Sequence, residues 1–129
     1  MLPKLVVSID TETRLIEPGC LAPDMACVQD GHFNADGNDY SSGILHHTKA
    51  LPDLTLWLEG AAYHDDVRLV GARTAFDMAV IAARYPHLLP LIFAAYERGN
   101  IEDVQIRQQL IDIAEGTFWK YRHSKGGYS

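Results

Sequence analysis

The sequence predicts an α/β domain, a mixed sheet with flanking helices, on three observations. Two short apolar runs, Leu5-Val6-Val7-Ser8-Ile9 and Val67-Arg68-Leu69-Val70-Gly71, have the composition of buried strands. Two more strand-like segments lie between them, Met25 to Phe33 and Tyr40 to His46. The residues joining those two, Asn34-Ala35-Asp36-Gly37-Asn38, contain the Asp-Gly of a hairpin turn. A meander of strands followed by alternating helix and strand defines the class.

The remaining elements follow in order. Leu51, Leu54 and Leu58 recur at helical spacing, with Pro52 suited to the first turn, and Asp65-Asp66 closes that helix. Thr74 has the character of an N-cap, with Asp77 three residues later, and Pro86 stops the helix they begin. Leu89 to Arg98 reads as a further helix, ended by Gly99-Asn100. Asp103 is placed to cap the last one, whose apolar face is Ile106, Leu110, Ile113 and Ala114. The expected order is β-β-β-α-β-α-α-α.

A chain of 129 residues, 47% hydrophobic and 22% charged, predicts one globular domain. No apolar run approaches the roughly 20 residues that span a bilayer, and the start of the chain has no signal-peptide pattern. A membrane protein is therefore not expected. Cys20 and Cys27 are too few for a disulfide framework and predict reduced thiols in a cytosolic protein. The net charge of −6 argues against holding nucleic acid by broad electrostatics, although a carboxylate metal site is itself acidic. Residues 117–129 carry Lys120, Arg122 and Lys125 without an acid, a basic and aromatic tail of charge +3 that leaves −9 for the rest.

Asp10 and Glu12 stand two apart at the end of the first apolar strand, so both carboxylates face one side. Open α/β sheets place ligands beyond the carboxyl ends of their strands. Paired carboxylates repel unless a cation or proton intervenes, and oxygen-only ligation suits Mg²⁺ or Mn²⁺. On spacing alone the pair reads first as two solvated acids at a strand end. Asp77 follows the other apolar strand and is readable as a capping acid at a helix start. Taken together, three carboxylates at two adjacent strand ends could surround one or two divalent ions. Adjacent residues in a strand face opposite sides, so His46-His47 is not expected to bind a metal. Trp57 is expected to pack in the core, whereas Trp119 and Tyr121 could stack on bases.

Ser8-Ile9-Asp10-Thr11-Glu12-Thr13 resembles the first motif of the DEDD-type 3′–5′ exonucleases, which have a ribonuclease H-like fold. Gly71-Ala72-Arg73-Thr74-Ala75-Phe76-Asp77 resembles their second motif, with Ala72-Arg73 in place of the usual His-Asn. The stretch from Ile101 to Gly116 is similar to the N-terminal proofreading domain of phage A-family DNA polymerases. The resemblance implies Asp10, Glu12 and Asp77 as catalytic metal ligands for Mg²⁺ or Mn²⁺, in two sites. It implies Thr13 beside the terminal nucleotide, Thr11 as a further substrate-binding residue and Phe76 beneath the site. Arg73 either contacts a phosphate or has drifted. The implied partners are a DNA 3′ end, single-stranded or frayed, and a covalently linked polymerase domain, in the cytoplasm of a bacterium or phage-infected cell.

The family's third motif, Tyr-x-x-x-Asp or His-x-x-x-Asp, supplies a fourth carboxylate. Tyr63, Tyr121, His46, His47, His64, His87 and His123 have no Asp four residues on. Asp103 and Asp112 are weak substitutes, the first as a cap and the second away from its helix's apolar face. The expectation is an incomplete exonuclease core over residues 1–116, with 117–129 leading to a part that carries the missing motif. A non-catalytic RNase H-like module that binds nucleic acid or a partner is the alternative, as is a stand-alone oligoribonuclease-type exonuclease.

Overall fold

Alternation between buried and exposed residues carries the first strand further than its apolar run suggests. In the computed structural model, which describes residues 5–20, 22–34 and 40–118, β1 spans Leu5–Thr13. Val7, Ile9 and Thr11 are buried, while Asp10 and Glu12 are exposed on the opposite face. β2 (Met25–Asn34) pairs antiparallel with β1, and β3 (Tyr40–His46) antiparallel with β2. The predicted turn between them falls at residues 35–39, outside the described residues.

Leu51–Glu59 forms α1, with its proline in the first turn as expected. The helix does not stop there but widens into one π-helical turn, Gly60–His64, closed by Asp65 in the left-handed conformation. Gly60 lets Val67 pack closely against this turn, since a Cβ there would lie 2.6 Å from a Val67 methyl. β4 (Val67–Gly71) then runs parallel to β1, and α2 (Thr74–Arg84) returns. After a 3₁₀ turn at Pro86–Leu88 comes α3 (Leu89–Glu97), with Gly99 in the left-handed region behind it. Next is β5 (Ile101–Asp103), a strand the sequence does not announce. It pairs parallel with β4 and leads directly into α4 (Val104–Glu115). The result is an α/β fold with a mixed sheet of order β3-β2-β1-β4-β5.

One sheet face carries the core. Val7, Ile9, Val28 and Leu69 cluster there with Leu54, Trp57 and Leu58 of α1, Val80 and Ile81 of α2 and Ile92 of α3. Trp57 is buried and meets His32 edge-on, ring centroids 5.0 Å apart, as a packing residue. The other face, with Asp10, Glu12, Gln29, Phe33, Tyr40 and Ile44, is largely exposed. α4 departs from its expected orientation. Ile106, Leu110 and Ile113 are more than half exposed, whereas Asp112 is buried at 3%. The buried Asp112 carboxylate accepts from Gln108 Nε2 at 3.0 Å, which offsets the desolvation. Among the described residues no helix is long and apolar enough to cross a membrane.

Candidate active site

Pairing between β1 and β4 stops at Ser8 and Val70, so beyond that point β1 has no strand on its β4 side among the described residues. The open N–H there is met by a side chain. Asp77 Oδ1 accepts from the Thr11 backbone N at 3.1 Å and from Thr11 Oγ1 at 2.6 Å. The predicted capping arrangement is therefore not the one formed. Arg73, not Thr74, is the N-cap, and Asp77 turns away from the helix start to the strand. A long-range hydrogen bond to a charged acceptor outweighs the local box, since Thr74 lies inside the helix and not at its N-cap.

The turn from β4 into α2 is tight. A Cβ on Gly71 would stand 2.8 Å from the Ile9 carbonyl oxygen and 3.2 Å from Thr74 Cγ2. Only glycine lets the end of β4 lie this close to β1. Gly71→Ala is expected to cost about 1–2 kcal/mol by chemical denaturation, because the obstructing atom is backbone. An unchanged unfolding midpoint would show that the turn relaxes freely. Arg73 adopts the left-handed conformation, φ 59°, with its side chain exposed. A non-glycine residue there carries strain.

The second Asp77 oxygen, Oδ2, is buried and has no hydrogen-bond partner among the described residues. Burial pushes the Asp77 carboxyl above the ordinary Asp range. The two Thr11 hydrogen bonds pull it down, and the negative charges of Asp10 and Asp103 push it up again. Asp10 is thus electrostatically coupled to Asp77, though it lies on the exposed face of β1. Glu12 shares that face. Among the described residues, no three His, Cys, Asp or Glu side chains stand together as a metal-holding group. The donor chemistry fits a hard cation, because a buried carboxylate oxygen without a donor among the described residues lies within electrostatic reach of Asp10.

A groove of about 470 Å³ runs from Asp10 across the open sheet face, lined by Ser8, Gln29, Gly31, Tyr40 and Ser42. Thr11 is buried, with its hydroxyl committed to Asp77. Thr13 is half-buried and its hydroxyl donates to the Arg14 carbonyl. Phe76 is half-buried against the core. The His46 and His47 rings do meet, with centroids 4.2 Å apart, because His47 has already left the strand. Cys20 and Cys27 are unpaired thiols. Trp119 and Tyr121 lie outside the described residues.

One His-x-x-x-Asp spacing does occur, from His32 to Asp36. His32 packs on Trp57 and sits 2.6 Å from Asp30, under α1, and Asp36 falls outside the described residues. The residue that sequence reasoning underrated is Asp103. It caps α4 as expected, accepting from the Gln105 and Ile106 amides, and it also reaches Thr74. No protein-family profile, curated protein or solved structure matches the chain.

Proposed function

We propose that this chain is a 3′–5′ exonuclease domain of the proofreading type, with an RNase H-like fold, acting on a DNA 3′ end. The observation that carries this reading is the buried, unpartnered Oδ2 of Asp77, held beside β1 where Asp10 and Glu12 emerge. A buried carboxylate oxygen without a donor is costly unless a proton or a cation completes it. The order of elements, a three-strand meander followed by parallel β4 and β5, also supports an RNase H-like fold.

In this reading Asp10, Glu12 and Asp77 hold Mg²⁺ or Mn²⁺. Two such ions would supply Lewis-acid chemistry for phosphodiester hydrolysis, lowering the pKa of a water and offsetting charge on the leaving oxygen. The chain itself supplies orientation. Thr11 donates twice to Oδ1 and so leaves Oδ2 as the free acceptor of Asp77. The groove beside Asp10 offers a place for a strand end, with Tyr40 as a stacking surface.

The test is a calorimetric Mn²⁺ titration of the 129-residue chain and of Asp10→Ala. The expected result is binding by the wild type and at least about 10-fold weaker binding by the variant. Equal titrations would sink the proposal. A second reading, a non-catalytic RNase H-like module, is favoured by the absence of a three-acid cluster among the described residues. Mg²⁺-dependent release of nucleotides from single-stranded DNA by this chain would exclude it, and the same assay on RNA separates the oligoribonuclease-type alternative.

A further inference from the structure

The Phe76 and Asp77 amides at the start of α2 donate to the Arg73 carbonyl, but the Thr74 amide ahead of them finds no acceptor within its own helix. Its N-cap, Arg73, makes no side-chain cap. The Thr74 N–H instead donates to Asp103 Oδ2 at 3.2 Å, from a residue 29 positions later. The other oxygen of the same carboxylate accepts from Gln105 N at 2.9 Å and Ile106 N at 3.1 Å. Asp103 also ends β5, in register with Gly71.

The geometry points to Asp103 as a positioning residue for Asp77. One carboxylate joins the starts of two helices to the end of the sheet. α2 carries Asp77 in its first turn, so the rotation and height of that turn decide whether Asp77 Oδ1 reaches Thr11. With Thr74 anchored, Asp77 is held against β1 and Oδ2 stays presented. Asp103 needs no ligand of its own for this role, since both its oxygens are already occupied by amides.

This inference rests on the proposed site for its metal readout but not for its structural one. Asp103→Ala removes both caps and could unfold the chain. Asp103→Ser is the sharper variant, because serine still caps α4 but has no second oxygen for Thr74. Amide hydrogen exchange in metal-free protein is followed at Thr74, Thr11 and Gln105, together with Mn²⁺ affinity. Asp103→Ser is expected to accelerate exchange about 10-fold at Thr74 and at Thr11, leave Gln105 protected, and weaken Mn²⁺ about 10-fold. Faster exchange at Thr74 with Thr11 unchanged would overturn the proposal and reduce Asp103 to a local cap. Weaker Mn²⁺ binding with Thr11 unchanged would overturn it in favour of direct ligation. If the wild type binds no Mn²⁺, the metal reading fails, and the Thr11 exchange rate still decides this one.

Discussion

Asp77→Asn is expected to raise the metal-free melting temperature at pH 7 by roughly 3–8 °C while abolishing any response to Mn²⁺. Asparagine keeps an oxygen where Thr11 donates and replaces the unpartnered Oδ2 with a neutral group. The gain comes from removing a buried charge that no described residue satisfies on that side. Its pH dependence has a definite sign. The folded carboxyl titrates above its unfolded value, because burial opposes ionisation. Stability from this group is therefore fully present below the unfolded pKa and is lost as pH rises through the folded one. Asparagine has no such loss. The two proteins should melt together below about pH 4 and diverge at neutral pH, with the variant higher. Saturating Mn²⁺ should then reverse the order, since a ligand at 100 times its dissociation constant adds about 2.7 kcal/mol to the wild type alone. Differential scanning calorimetry at pH 3.5 and 7, with and without Mn²⁺, checks all of this. A variant less stable than the wild type at pH 7 in chelator would mean that Oδ2 is satisfied in solution.

What makes that prediction possible was only partly legible in the sequence. β1, β2 and β4 were readable because a strand buried on one or both faces writes its environment into its composition, and β3, which is mostly exposed, from the turn residues ahead of it. β5 was not, because three residues, Ile101-Glu102-Asp103, are too short to carry a period. That strand exists because β4 offers it an edge, with Leu69 N donating to Asn100 O at 2.8 Å and three residue pairs in register. The acids were readable as types and spacings. Their partners were not. Thr74 followed by Asp77 has the form of a local cap, and the actual partner of Asp77 lies 66 residues upstream. In α4, the periodicity correctly identified an apolar face, yet Ile106, Leu110 and Ile113 are exposed. Amphipathicity says which residues share a face, and only the surrounding fold says what covers it.

Thr11→Val is the second large effect, because it removes half of the support for Asp77 without changing the shape of the site. Valine matches threonine in volume and suits a strand, so β1 itself should be unaffected. What is lost is the 2.6 Å hydrogen bond from Oγ1, leaving Asp77 Oδ1 with the 3.1 Å backbone contact alone. A hydrogen bond to a charged group contributes about 1.5–3 kcal/mol, and the carboxylate left behind stays buried. The expected cost at pH 7 is about 2–4 kcal/mol by urea denaturation. In an Asp77→Asn background the same substitution should cost only about 1 kcal/mol, since the acceptor is then neutral. The double-mutant cycle should therefore return a coupling of about 1–3 kcal/mol at pH 7 that shrinks at pH 3.5, where the carboxyl is protonated. Additive effects, with no coupling at either pH, would mean that the charge of Asp77 is not held by Thr11. The buried oxygen on which the metal reading depends would then have no fixed direction.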